Sequence, residues 1–453
     1  MRISYRIILL ASIILSTACS KDNSGNLSPE AAITSFSLGQ FNVLHNDITY
    51  ENKDTMVITQ ITNGRFKYDI DHINGLIFNT DTLPYGSVLN SVKTNVVATG
   101  TAYFHIPDSN DVYHNVLWTN SLEIDLNKPV KVIVISTDES YRREYTLQTN
   151  IYDANPDSMK WEGIASLPDD IAFANAVECN GTMAVLGFDG NGKPCVTKYS
   201  NEDNSWSNPV ICNGLSQNVV FSSLSIHGGT FAVADGGNIL TSEDCENWDN
   251  VKSGTLTEML LPFRQTGDYG EAWAVTDNGW LASSSDLANW SEIQELPDRF
   301  PIHNISGLCY RLATNRNILR YIIIGTDGEN IETLIWTKLS TENRWSRITV
   351  AEDHSLKCPA FDNLSMIMYD GRLYSFGGPM ENFFESRDNG ITWRECHSLL
   401  ETYNTWNNYM QIPEAYKGID IPFCSAVDST NAIWLISSDS RGVWRGYLNR
   451  LHK

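Results

Sequence analysis

Hydrophobic residues along this chain fall in short runs broken by Asn, Asp, Gly and Pro, and no stretch carries a long 3.6-residue apolar period. This is strand patterning, and it predicts an all-β protein. Between residues 33 and 151 the runs include Ile33-Thr34-Ser35-Phe36-Ser37-Leu38, Met56-Val57-Ile58, Leu76-Ile77-Phe78, Val130-Lys131-Val132-Ile133-Val134-Ile135 and Tyr145-Thr146-Leu147-Gln148-Thr149. Period-2 alternation of β-branched residues between turn formers predicts an antiparallel, immunoglobulin-like β-sandwich over residues 32–152. Tyr152–Ser158, containing Asn155-Pro156-Asp157, reads as a linker.

Beyond the linker the pattern repeats. Trp161, Trp206, Trp248, Trp290, Trp345 and Trp393 follow one another at intervals of 45, 42, 42, 55 and 48 residues. A period of roughly 40 to 50 residues marks an array of one supersecondary unit. Each repeat reads as four strands. The first is apolar (Val219 to Leu224, Phe423 to Val427) and the second ends at a tight turn (Ala184 to Gly187, Ile433 to Ile436). The third is more polar (Ile239 to Ser242, Val443 to Tyr447), and the fourth starts at the marker Trp. The Trp161 strand precedes the first repeat, and the chain ends soon after the last third strand, so the surplus at the start fits the vacancy at the end. Pairing the two removes exposed sheet edges. The expected architecture over 153–453 is a six-bladed β-propeller closed by residues around Trp161, with an open β-solenoid as the alternative.

Ser386-Arg387-Asp388-Asn389-Gly390-Ile391-Thr392-Trp393 resembles in full the Asp-box of sialidase-like propellers. Ser242 to Trp248 and Ser284 to Trp290 are one residue shorter and lack the glycine. In such a turn the Asp accepts backbone N–H bonds, the glycine is left-handed and the Trp packs beneath, so Ser386, Asp388, Gly390 and Trp393 are expected to be structural. The resemblance puts these turns on the face away from an active site. Asp189-Gly190, Asp235-Gly236, Asp277-Asn278-Gly279, Asp327-Gly328 and Asp439-Ser440 read as hairpin turns.

The N-terminus supplies the cellular context. Arg2 and Arg6 flank the apolar run Ile7–Leu15, and Ser16-Thr17-Ala18 lead into Cys19. Residues 1–18 read as a signal peptide. The site resembles a bacterial lipobox with Ser16 where leucine is usual, which implies lipidation of Cys19 and a tether over 19–31. Ser20-Lys21-Asp22-Asn23 resembles a surface-export tag. The expected location is the outer membrane, lipid-anchored and facing the cell surface. A net charge of −22 and the lack of a basic stripe exclude nucleic acid as a partner. The eight cysteines after Cys19 form no C-x-x-C pair or Cys/His cluster, so no metal is expected; nor is any cofactor.

The longest irregular connection, Glu401–Ile419, carries Tyr403, Asn404, Trp406, Asn407, Asn408, Tyr409, Tyr416 and Lys417. Rings flanked by amides suit sugars, since ring faces stack on pyranose C–H groups and amides bond hydroxyls. Tyr403, Trp406, Asn407, Tyr409 and Tyr416 are therefore candidate ligand-binding residues. Arg299 and His303, with Asn304 and His354, sit in other connections on the same face. No G-x-S-x-G, H-E-x-x-H or phosphate-binding loop occurs. A sialidase would bring three arginines and a Phe-Arg-Ile-Pro signature, yet Leu167–Cys195 contains no arginine.

Ile33 to Gly39, Asn74 to Gly86 and Tyr141 to Leu147 are similar to the N-terminal module of a Bacteroidota lipoprotein family, domain of unknown function 6242, which pairs it with a propeller. The resemblance implies a surface location and no activity. The reading is a non-enzymatic binding module for a glycan or protein ligand on the propeller loop face. A sialidase-like hydrolase or lyase is the alternative, and a structural subunit of an outer-membrane complex the third.

Overall fold

The computed structural model describes residues 27–48, 54–62, 65–156, 158–252, 259–265, 270–326, 332–349, 356–396, 410–437 and 442–451. The described elements are strands and short 3₁₀ turns, and the chain divides into two units at Asn155 and Pro156.

In the first unit the alternation translates directly into burial. Val92–Ala98 turns Val92, Thr94 and Val96 inward and their neighbours outward. One six-stranded sheet contains Tyr68–Asp71, Leu76–Asn79, Arg142–Gln148, Val130–Ile135, Thr101–Pro107 and Tyr113–Leu117 in that order, and two three-stranded sheets accompany it. Ile33, Phe36 and Val92 share a core with Ile77, Phe104, Val132 and Tyr145 of the large sheet. One pairing departs from the antiparallel expectation: Arg142–Gln148 runs parallel to Leu76–Asn79, with Thr146 opposite Leu76. Alternation reports which face is buried but is silent on strand direction.

The second unit contains six sheets among its described residues. The first sheet begins with Ile171–Cys179, the second with Val219–His227, the third with Met259–Leu260, the fourth with His303–Arg311, the fifth with Asp362–Tyr369 and the sixth with Cys424–Val427. The sixth holds Cys424–Val427, Ile433–Ile436 and Val443–Leu448, and its fourth strand is Met159–Ile164 from the start of the unit. The marker tryptophans stand in or immediately before outer strands, as with Ser205–Trp206, Asp249–Lys252 after Trp248 and Arg394–Glu395 after Trp393.

Six apolar clusters lie between these sheets, each shared by two successive ones. Val177, Leu186 and Val196 meet Phe221, Val233 and Leu240 between the first and second sheets. Tyr374 and Phe376 meet Ile433 and Leu435 between the fifth and sixth. The cycle returns to its origin, because Ile171, Val185 and Tyr199 of the first sheet pack on Trp434, Ile436 and Val443 of the sixth. A sheet in this order buries both faces, so its second strand reads as an unbroken apolar run; Ile433–Ile436 and Ala272–Val275 are buried at every residue. Each such Ile, Leu or Val contributes about 1.5–3 kcal/mol relative to exposure.

Candidate functional site

The innermost strands run side by side, and the last, Cys424–Val427, neighbours the first, Ile171–Cys179. Near one shared register position each carries a Ser, Asn or Arg within its apolar stretch. Four of them carry a bulge there, between Phe173 and Asn175, Val220 and Ser225, His303 and Ser306, and Asp362 and Ser365. A bulge adds a residue to one strand and re-aims a side chain that would otherwise face a core. The re-aimed groups bond across sheets. Asn175 Nδ2 donates to Phe221 O at 2.8 Å, Ser225 Oγ to Phe263 O at 3.1 Å, and the Ser365 and Ser425 hydroxyls lie 2.5 Å apart. Asn304 spans to the next sheet, donating to Phe361 O at 2.6 Å and accepting from Leu364 N at 3.0 Å.

These strands surround a cavity of about 300 Å³ that takes lining residues from all six sheets. It opens at the end where the inner strands begin. The register fixes that end, since Ile171 pairs with Asp189, beside the turn into the third strand, while Cys179 and Thr182 close the first hairpin at the opposite end. Ser222 and Asn363 are exposed on its wall, and neither side chain has a hydrogen-bond partner among the described residues. The Phe423 ring lies beside them, stacked on Phe376 with centroids 5.8 Å apart. Val220 (47% exposed) and Ile302 (41%) add apolar surface.

Arg264 supplies the charge. It sits on Phe263–Gln265, just after Pro262, in a segment that leaves the third sheet and pairs in parallel with His303–Arg311 of the fourth. Its Nη2 donates to Asn175 Oδ1 at 2.8 Å and its Nη1 to Ser425 O, so one guanidinium ties the first and sixth sheets to its own strand. Burial pulls its pKa below the ordinary arginine value, with a smaller opposing influence from Cys424. Among the described residues the lining of this cavity contains no carboxylate. A second cavity of about 260 Å³ continues past Arg264 towards Glu178, Met368 and Val427.

The structure separates the residues expected from sequence. Cys19, His354, Tyr403, Trp406, Asn407 and Tyr409 lie outside the described residues. Tyr416 is corrected from ligand surface to core: it is fully buried with Met410 and Ile412, and its hydroxyl donates to Gly442 O at 2.6 Å. Aromatic content in a long connection does not distinguish a ring that faces solvent from one that packs the loop down. Arg299 joins an ion cluster, with Nη2 2.7 Å from Glu332 Oε1, which also takes Arg347 at 3.0 Å. His303 is exposed beside the cavity residues Ile302 and Asn304. Sequence reasoning passed over Asn175, Ser222, Arg264, Asn363 and Phe423. The available signal was the polar residue inside each first strand, seen in Ser222-Ser223, Ser365 and Ser425.

The three turns that resemble Asp-boxes lie at the other end of the strands. In the full box, Asp388 Oδ1 accepts from Thr392 N at 2.9 Å, Ser386 Oγ accepts from Gly390 N at 2.8 Å, and Trp393 Nε1 donates to Gly390 O at 3.1 Å. Gly390 is left-handed at φ 90°, and in the two shorter turns Cys245 and Leu287 take that conformation at 65° and 63°. Trp248 and Trp290 keep the equivalent bond to the carbonyls of Cys245 and Leu287.

No curated relative matches the chain. Among solved structures it is similar to a Trichoderma reesei carbohydrate-active enzyme of family AA12, at 10% identity and TM-score 0.36, over 66% of this chain and 100% of that one. It is also similar to the Aleuria aurantia lectin solved with Fucalpha1-6GlcNAc, at 15% identity and TM-score 0.33, over 62% and 98% of the two chains. PorZ, a surface component of the type-IX secretion system of Porphyromonas gingivalis, aligns at 11% identity and TM-score 0.36, over 79% and 56%. Two family descriptions divide the chain between them, the DUF6242 N-terminal domain over residues 36–149 and the DUF6242 beta propeller domain over 155–452. The chain belongs to this DUF6242 family, and its second unit is a β-propeller.

Proposed function

We propose that this protein is a surface-anchored lipoprotein that binds a glycan, without transforming it, at the axial mouth of a six-bladed propeller. In this reading Met159–Ile164 completes the sixth blade, and the first unit is an immunoglobulin-like sandwich. The leader is removed before Cys19, whose acyl chains hold the protein in the outer membrane at the cell surface. The six apolar clusters in cyclic order support the blade count.

One observation carries the ligand class. Ser222 and Asn363 present a hydroxyl and an amide, unpartnered among the described residues, on the wall of a cavity that also exposes Phe423, Val220 and Ile302. Sugars need this combination of hydrogen-bonding groups for hydroxyls and apolar faces for C–H surfaces. A volume of about 300 Å³ lies at the small end of ligand pockets and suits one sugar unit with the chain continuing outward. On this proposal Tyr403, Trp406, Asn407 and Tyr409, which precede Phe423 in the chain, and His303, which adjoins Ile302, also take part in recognition.

A glycan array probed with the mature protein tests the reading, followed by calorimetry on the hits. Binding that weakens in Asn363→Leu and in Trp406→Ala, with the glycan recovered intact, is the expected result. No binding, or the same binding in both variants, overturns it. Release of shortened or unsaturated sugar would replace it with the enzyme reading. Loss of lipid labelling in Cys19→Ser tests the anchor.

A further inference from the structure

We propose that the axial cavity selects glycans bearing a carboxylate, and that this group enters from the mouth and pairs with Arg264. The inference rests on the glycan-binding reading above and narrows its ligand class.

The guanidinium has five N–H donors in a planar fork. Two are committed, to Ser425 O and to Asn175 Oδ1. Arg264 lines both the upper and the lower cavity, and its other three donors have no hydrogen-bond partner among the described residues. Its charge has no protein counterion: among the described residues no carboxylate forms a salt bridge with it. Glu178, the acid lining the lower cavity, instead accepts from Ser429 Oγ at 2.5 Å. Arg264 is partly buried; a cation partly withdrawn from water without an opposite charge is costly, and an arriving anion reduces that cost. The burial that pulls the arginine pKa down is the same effect seen from the protein side. A carboxylate matches the fork in plane and spacing, so it gains two parallel charge-assisted bonds where a neutral hydroxyl gains one ordinary bond. The whole chain carries a net charge of −22, so acidic glycans are repelled in general and Arg264 marks the place where one is held.

The test uses acidic oligosaccharides, from polygalacturonate, heparin and sialylated glycans, alongside the same molecules with their carboxylates reduced to alcohols. Calorimetry on the wild-type mature protein is expected to show at least one acidic form binding about ten- to a hundredfold tighter than its reduced counterpart, the gain for charged over neutral hydrogen bonds. Arg264→Gln is expected to erase that ratio while leaving weak binding of the reduced form, and Arg264→Lys to keep part of it. If native and reduced glycans bind the wild type equally, or if a folded Arg264→Gln keeps the preference, the inference is overturned and the glycan-binding reading stands. If no oligosaccharide binds in either form, and the neutral glycans of the array are also silent, both fall. Should Arg264→Gln fail to fold, the wild-type ratio still decides the ligand class and Arg264→Lys the residue.

Discussion

Trp161 and Gly446 stand directly opposite one another in adjacent antiparallel strands drawn from the two ends of the second unit. A Cβ added to Gly446 would overlap the indole ring of Trp161, whose Nε1 is fixed by donation to Gln411 O at 2.6 Å. The glycine is therefore required by the strand that closes the sixth sheet. Gly446→Ala is expected to lower unfolding stability by about 1–3 kcal/mol, the usual cost of overpacking. At Gly190 an added Cβ meets nothing within 4 Å, so Gly190→Ala should stay within about 0.5 kcal/mol of wild type. Urea denaturation compares the two; equal stabilities would mean that the indole does not occupy this position.

Asp428 organises the far end of the same sheet. Its carboxylate accepts from Thr430 N and Ala432 N, each at 2.9 Å, and from Trp434 Nε1 at 2.8 Å, and it pairs with Arg445 at 3.1 Å. Burial works to raise its pKa, but the bonds from Thr430, Trp434 and Ala432 and the Arg445 charge outweigh it and hold it below the ordinary value. Asp428→Ala strands a buried indole N–H and is expected to cost about 1–3 kcal/mol, measured by thermal melting. An unchanged melting temperature would contradict the assignment.

The shorter Asp-box turns give the protein an acid limit. Asn289 donates to Asp286 through its side chain and backbone N–H and holds the Asp286 pKa at about 2, and Asp244 is also depressed, with bonds from Asn247 and Glu246 outweighing burial. Both folded-state values lie below the unfolded one. The stability they contribute is therefore present above about pH 4 and is lost as pH falls towards 2. Asp286→Asn should flatten the acid limb of the stability–pH curve below pH 4; an identical limb would exclude Asp286 as a contributor.

How much of this was legible in sequence depends on what kind of contact each residue makes. Second strands such as Ile433–Ile436 are buried on both faces, so their apolar runs are visible directly. Trp248, Trp290 and Trp393 were visible because each serves a local turn bond, as Trp290 does with Leu287 O, whereas Trp161 and Trp206 share only the spacing and bond to the distant Gln411 O and Ala165 O. The third sheet's inner strand was not legible: it is split at Pro262 into Met259–Leu260 and Phe263–Gln265, which join different sheets. Arg264 stands in that split segment, and its meaning comes from Asn175 and Ser425, 89 and 161 positions away. Nothing local to Pro262-Phe263-Arg264 signals those partners. Tyr416 was misread for the same reason, since its partner Gly442 belongs to a later strand turn.

Glu385 is fully buried on the strand before the full Asp-box, with Arg372 and Arg387 each at 3.1 Å and Arg394 also paired to it. Burial works against its charge, yet the Arg394, Arg387 and Arg372 charges outweigh it and keep the carboxyl below its ordinary pKa. Glu385→Gln removes the anion and leaves three neighbouring cations, so a loss of about 3–5 kcal/mol is expected. Urea denaturation at neutral pH measures it, and a change under about 1 kcal/mol would show that the arginines are neutralised by other groups.

The most direct measurement is a crystal structure of the protein grown with a glycan identified on the array. The account predicts sugar density at the axial mouth, within hydrogen-bond distance of Ser222 or Asn363 and against the Phe423 ring. Density confined to the Asp-box face or to the outer strands, with the axial cavity holding solvent alone, would contradict it.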